Sequence, residues 1–172
     1  MSLTLHVLRH AKSSWDTPGQ SDHDRPLNRR GRKAAKAIGR LLGGEGPAPT
    51  HVLCSTATRA QETWGRVEAR LGSAPTVEID RRLYLASAGE LLARIQECRA
   101  EPCLLIVAHN PGVEDLARAL AGSGDEEAWH RLRASHPTGA LSTLEFEAKV
   151  WGDIAVSGGE LMRFIVPRDL AE

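Results

Sequence analysis

Six consecutive residues, Cys103-Leu104-Leu105-Ile106-Val107-Ala108, are apolar without a break, and the chain then changes abruptly to His109-Asn110-Pro111-Gly112. Six residues is strand length, and a strand without polar alternation is one covered on both faces. Such strands lie inside α/β sheets, with helices above and below. Pro111-Gly112 ends the strand and opens a helix, at a first-turn position where proline is tolerated.

The rest of the chain can be placed around that strand. Leu3 to Leu8 reads as a strand that stops at Arg9-His10, and residues 11–27 form a polar loop. Asn28 is a plausible N-cap for a helix carrying Ala34, Ala37, Ile38, Leu41 and Leu42 at helical spacing. The run Gly43-Gly44-Glu45-Gly46-Pro47 stops it. His51 to Cys54 is a second strand, and Ser55-Thr56-Ala57-Thr58 offers capping hydroxyls to a helix facing inward through Ala60, Trp64, Val67 and Leu71. Thr76 to Ile79 is a third strand. Ala88 to Arg99 is a helix with Leu91, Leu92 and Ile95 on one face, and the helix after Pro111 turns Val113, Leu116, Ala117 and Leu120 inward. Asp125 to Arg133 forms a short helix. Ala140–Glu147 and Glu160–Val166 pair antiparallel, with Trp151-Gly152-Asp153 near the bend. Repeated strand–helix units closed by a hairpin predict one α/β domain over residues 1–172, its sheet mainly parallel with an antiparallel edge.

Composition narrows the function. The 172 residues carry 22 basic and 22 acidic side chains. A neutral balance argues against nucleic-acid or membrane partners, so an anionic ligand must be met by a local cluster. The three cysteines form no CxxC pair or metal spacing, and Cys54 and Cys103 fall in strand-like runs. They read as buried free thiols of a reducing compartment, which predicts a cytoplasmic location. The N-terminus lacks a signal-peptide pattern, and no apolar run is long enough to span a bilayer. No P-loop, GxSxG or HExxH motif occurs, so neither a metal nor a nucleotide cofactor is indicated.

Ligands of open α/β sheets sit at the carboxyl ends of the strands. Arg9 and His10 end the first strand, Ser55 ends the second with Arg59 opening the helix behind it, and His109 ends the apolar strand. Two arginines and two histidines, distant in sequence, thus converge on one rim. Guanidinium forks suit phosphate oxygens, and helix N-termini add N–H groups and positive dipole ends. A neutral imidazole in such a pocket can attack phosphorus.

Leu8-Arg9-His10-Ala11, Ser55-Thr56-Ala57-Thr58-Arg59-Ala60-Gln61-Glu62-Thr63 and Val107-Ala108-His109-Asn110 resemble, in order, the three motifs of the histidine phosphatase superfamily. Asp22-His23-Asp24-Arg25-Pro26-Leu27 followed by Gly31 most resembles its SixA-type phosphohistidine phosphatases, and Pro137-Thr138-Gly139-Ala140 also fits. The resemblance implies a phosphoglycerate mutase-like three-layer α/β sandwich with His10 as nucleophile and Arg9, Arg59 and His109 binding the phosphoryl group. Arg25 and Ser55 join them as substrate-binding candidates. Ala11 replaces the glycine usual after the nucleophile. Many members carry an acidic glutamate after the third strand, but Asp80-Arg81-Arg82-Leu83-Tyr84-Leu85-Ala86-Ser87 has none. Asp22 and Asp24 are the alternative general acids.

Three functions follow: a phosphatase acting on phosphohistidine in proteins, a phosphomonoesterase for a small phosphorylated metabolite, or a phosphate-binding module without catalysis. Nothing indicates an obligate partner, and a monomer is compatible with the sequence. His6, His23, His51 and His130 read as structural or solvated, and His136 as a pocket-rim candidate. Arg29-Arg30-Arg32-Lys33 reads as a solvated face able to steer an acidic partner.

Overall fold

The computed structural model describes residues 2–99 and 101–170. The ends of the expected 1–172 domain and Ala100 lie outside the described residues. Along the chain run β1 (Ser2–Arg9), α1 (Arg29–Gly44), β2 (His51–Ser55), α2 (Thr58–Glu68), β3 (Thr76–Asp80) and α3 (Ala88–Gln96). Then follow β4 (Cys103–Ala108), α4 (Gly112–Leu120), β5 (Ala121–Gly124), α5 (Glu126–Ala134), β6 (Leu141–Glu147) and β7 (Gly159–Ile165).

The strands form one seven-stranded sheet in the order β3-β2-β4-β1-β6-β7-β5. The first four run parallel, and β6 joins antiparallel to both β1 and β7. β4 matches the apolar run residue for residue, and its alternation explains why no polar residue is tolerated. Leu104, Ile106 and Ala108 pack with Leu91, Ile95, Leu116 and Leu120 of α3 and α4. Leu105 and Val107 pack on the other face with Ile38, Leu42, Trp64 and Val67 of α1 and α2. The result is the expected three-layer α/β architecture.

Local chemistry sets most boundaries. Asn28 caps α1 by accepting from Gly31 N–H at 2.8 Å, and Ser87 caps α3 in a reciprocal capping box with Glu90. The inward stripe of α1 is Gly31, Ala35, Ile38, Gly39 and Leu42, so Ala34, Ala37 and Leu41 are only half-buried. α2 ends before Leu71 and α3 before Arg99. One strand has no sequence signal: β5 reads Ala-Gly-Ser-Gly, without a β-branched or aromatic residue. Its pairing with β7 alone creates it. No helix among the described residues is long and apolar enough to cross a membrane. Cys54 and Cys103 are buried and free, and Cys98 is half-buried.

Candidate active site

The carboxyl ends of β1, β2 and β4 lie side by side, because these strands are neighbours in the sheet. A cleft of about 270 Å³ opens there. Arg9, His10, Arg25, Arg59 and His109 line it, together with Lys12, Ser13, Trp15, Leu85, Asn110 and Thr138. No carboxyl side chain is among these lining residues.

His10 and His109 face each other with ring centroids 5.1 Å apart. His10 Nδ1 lies 2.7 Å from the Ala11 carbonyl. A carbonyl only accepts, so Nδ1 carries the proton and Nε2 presents its lone pair. Nε2 receives a hydrogen bond from Arg59 Nε at 3.3 Å, which agrees with that tautomer. Burial lowers the His10 pKa to about 3, the Ala11 bond opposes this, and Arg59, Arg9 and Arg25 add to it. His109 also falls to about 3, from burial and then from His10 and Arg59. Both rings are therefore neutral near neutral pH.

The backbone around His10 is braced from two sides. Thr63 Oγ1 accepts from Ala11 N–H at 3.0 Å and donates to the Arg59 carbonyl at 2.7 Å. Gly139 N–H bridges the Arg9 and His10 carbonyls at 3.1 and 3.0 Å. Gly139 holds φ +76°, where a side chain is strained. Gly31 is required for a different reason: a Cβ there would lie 2.0 Å from the Lys12 carbonyl oxygen. The start of α1 thus rests directly on the loop that follows His10. Glu62 Oε1 accepts from Leu27 N–H at 2.8 Å and ties the far end of that loop to α2.

The cations are held by shared acceptors. Asp22 accepts from Arg59 NH2 at 3.0 Å and, through its other oxygen, from Arg25 Nε and NH2 at 3.2 and 3.1 Å. Its main-chain carbonyl accepts from Arg59 NH1 at 2.6 Å, and Tyr84 donates to its carboxylate at 2.5 Å. Burial raises the Asp22 pKa, but the bonds from Tyr84, Arg59 and Arg25 outweigh it and hold the carboxyl well below the usual range. Arg25 also donates to Ser13 Oγ at 2.6 Å and lies 3.5 Å over the Trp15 ring. Arg9 and Asn110 both donate to the His136 carbonyl, at 3.2 and 2.9 Å. Two buried nitrogens in this group, Arg9 Nε and His109 Nδ1, have no hydrogen-bond partner among the described residues.

Several sequence expectations change on this geometry. Asp22 does not line the cleft and is an ionised acceptor, the wrong state for a proton donor. Asp24 has a side chain 67% exposed and paired with His23 at 3.4 Å, also off the cleft wall. Ser55 is buried behind His109, 2.7 Å from its Nε2, so it orients the ring rather than lining the pocket. Its hydroxyl accepts from Ala57 N–H at 3.2 Å, while Ala57, the N-cap of α2, makes no side-chain cap bond. His136 is buried, its Nε2 2.9 Å from Ser142 Oγ, and it reaches the site through its carbonyl. Tyr84, Ser13, Trp15, Leu85 and Thr138 were not anticipated as site residues. Tyr84 also stands edge-on to His109 at 5.4 Å.

Comparison with known proteins bears on this cluster. Residues 5–101 match the Histidine phosphatase superfamily (branch 1). The chain is 36% identical over 166 residues to an uncharacterized protein of Mycobacterium leprae, covering 94% of this chain and 100% of that one. Among solved structures, it is similar to the proposed phosphohistidine phosphatase SixA from Nakamurella multipartitia, with TM-score 0.84, 30% identity and 97% of each chain covered. The proposed phosphohistidine phosphatase SixA from Agrobacterium tumefaciens gives TM-score 0.80 and 28% identity over 96% of this chain and 98% of that one.

Proposed function

The chain belongs to the histidine phosphatase superfamily, and from that premise we propose that it is a single-domain phosphatase, spanning residues 1–172, that hydrolyses phosphohistidine in proteins. His10 Nε2 attacks phosphorus as the bond from phosphorus to the substrate nitrogen breaks. The phosphoryl group is then carried on His10 until water attacks it, releasing orthophosphate and restoring the imidazole. Arg9, Arg25 and Arg59 offset the charge on the equatorial oxygens. With the Ser55 hydroxyl hydrogen directed at His109 Nε2, His109 Nδ1 carries the proton and is an N–H donor. Both it and Arg9 Nε have no other partner among the described residues.

The observation that carries the substrate class is the lining of the cleft: cations and neutral imidazoles, with no carboxyl. An alkyl phosphate leaves as an alkoxide and needs a general acid. A phosphohistidine ring protonated on its second nitrogen leaves as neutral imidazole and brings its own proton. The names of the SixA-like structural neighbours favour the same substrate.

The test is to incubate the purified protein with a histidine-phosphorylated protein and, separately, with sugar phosphates. Wild type is expected to form an acid-labile, alkali-stable phosphoenzyme and to favour the phosphoprotein, and His10→Ala to form none. Unchanged hydrolysis by His10→Ala would remove His10 as nucleophile. Robust turnover of a sugar phosphate with no action on the phosphoprotein would establish the metabolite phosphatase instead.

A further inference from the structure

A second cleft, of about 510 Å³, adjoins the catalytic one and shares Lys12 and Thr138 with it. Its floor is apolar, formed by Ala34, Pro137, Phe164, Val166 and Pro167. Its charged lining is of one sign: Lys12, Arg30, Arg131 and Arg168, with His130 beside them and no Asp or Glu. These residues come from the loop after β1, the first turn of α1, α5 and the segment after β7, so the excess is built by the fold in a chain of zero net charge. Arg131 is committed to Asp169 at 2.6 Å. Lys12, Arg30 and Arg168 are exposed and make no ion pair or side-chain hydrogen bond among the described residues.

We infer that this cleft docks an acidic polypeptide segment adjoining the phosphohistidine of the substrate protein. The inference rests on the function proposed above and adds which proteins the enzyme would select. Two features point to a polypeptide. The cleft is nearly twice the catalytic volume, more than the phosphoryl group and its imidazole require. It also combines an apolar floor with exposed cations from separate segments that have no ion-pair partner among the described residues, which suits a chain carrying carboxylates and apolar side chains together. Continuity through Lys12 and Thr138 lets one substrate occupy both clefts.

The experiment uses three probes: free phosphohistidine, a phosphohistidine peptide flanked by glutamates, and the same peptide flanked by glutamines. The glutamate-flanked peptide is expected to have about a tenfold higher kcat/KM at low salt, mostly through KM, and to lose the advantage as salt rises. Arg30→Glu with Arg168→Glu should abolish that preference and leave turnover of free phosphohistidine unchanged, since neither residue lines the catalytic cleft. The milder pair Arg30→Gln and Arg168→Gln should reduce the preference in the same direction and guards against misfolding of the charge-reversed protein. Equal kcat/KM for the two peptides in wild type, or a preference that survives in both variants, overturns the docking cleft alone. Failure of wild type to hydrolyse any of the three probes overturns the proposed function and this inference with it.

Discussion

Four buried histidines whose pKa burial lowers, His6, His10, His109 and His136, predict an acid-sensitive fold well above the pH at which carboxylates titrate. Burial is the largest cause lowering His6 to about 4 and His10, His109 and His136 to about 3. Because each folded pKa lies below the ordinary 6.5, the unfolded chain binds more protons as pH falls. Stability is therefore complete above about pH 7 and is lost from about pH 6.5 downward. Near pH 5.5 an unfolded histidine is roughly nine-tenths protonated and the folded ones nearly unprotonated, so the four together differ by about 3.5 protons. That gives a slope of up to about 5 kcal/mol per pH unit, or about 2.5 if only half the difference is realised. Integrated from pH 7 to pH 5, this removes about 7 kcal/mol, or about 3.5 if half is realised, a large part of a domain stability of roughly 5–15 kcal/mol. Asp22 and Asp80, held below the usual carboxylate range, contribute stability that is lost only below about pH 4, outside this window. Urea unfolding followed by tryptophan fluorescence at several pH values between 7.5 and 5 measures the slope. His6→Gln, remote from the cleft, should lower it by about one proton. A free energy of unfolding that is flat over this range would refute the neutral-imidazole reasoning.

Four further perturbations test the site. Asp22→Asn removes the countercharge shared by Arg25 and Arg59. Allowing for the partial exposure of Asp22, it should cost about 1–2 kcal/mol in urea unfolding and lower kcat/KM at least about tenfold. Tyr84→Phe deletes one donor to that carboxylate, so its effect on kcat should be smaller than that of Asp22→Asn; abolished phosphoenzyme formation would instead make Tyr84 a participant in the chemistry. Gly139→Ala, strained at its positive φ and with a Cβ 2.8 Å from Pro167 Cγ, should cost about 1–2 kcal/mol, read as a lower Tm. Across aryl and alkyl phosphates, the rate of phosphoenzyme formation should fall steeply as the leaving-group pKa rises, and a flat series would reveal a general acid in the cleft.

The frame of the site was legible because it depends on strand ends. The apolar run of β4 places His109, and the strands before Arg9 and Ser55 place the rest by the geometry of parallel sheets. The Asn28 cap was equally local: one side chain and one N–H three residues on. What was not legible depends on contacts between distant segments. Tyr84 sits in a stretch without periodicity, and its role exists only where that stretch folds against Asp22. Thr63 and Glu62 lie within a motif, but their bonds to Ala11 and Leu27 cross 52 and 35 positions. A strand-end serine could not be assigned to the cleft wall or to the space behind His109 until the side-chain direction was known. β5 failed for a related reason, since its neighbour rather than its own residues makes it a strand.

Asp22 shows why reading charge from a motif differs from reading proton position from a fold. By sequence it is a carboxyl near a nucleophile and a natural acid candidate. In the fold it accepts from two guanidinium groups and a phenol, so the arrangement that organises the cations also removes its proton. The same cations, with burial, keep His10 and His109 unprotonated. One charge set therefore bears on three ionisation states at once: in the proposed function, cations to bind a phosphoryl group, a neutral imidazole to attack it, and a carboxylate held in its ionised form. Acid catalysis at Asp22 would require weakening its bonds to Arg25 and Arg59, and so the proposed phosphate site itself. Under the proposed function, a pocket built this way suits a substrate that brings its own leaving-group proton, as a phosphohistidine ring protonated on its second nitrogen does.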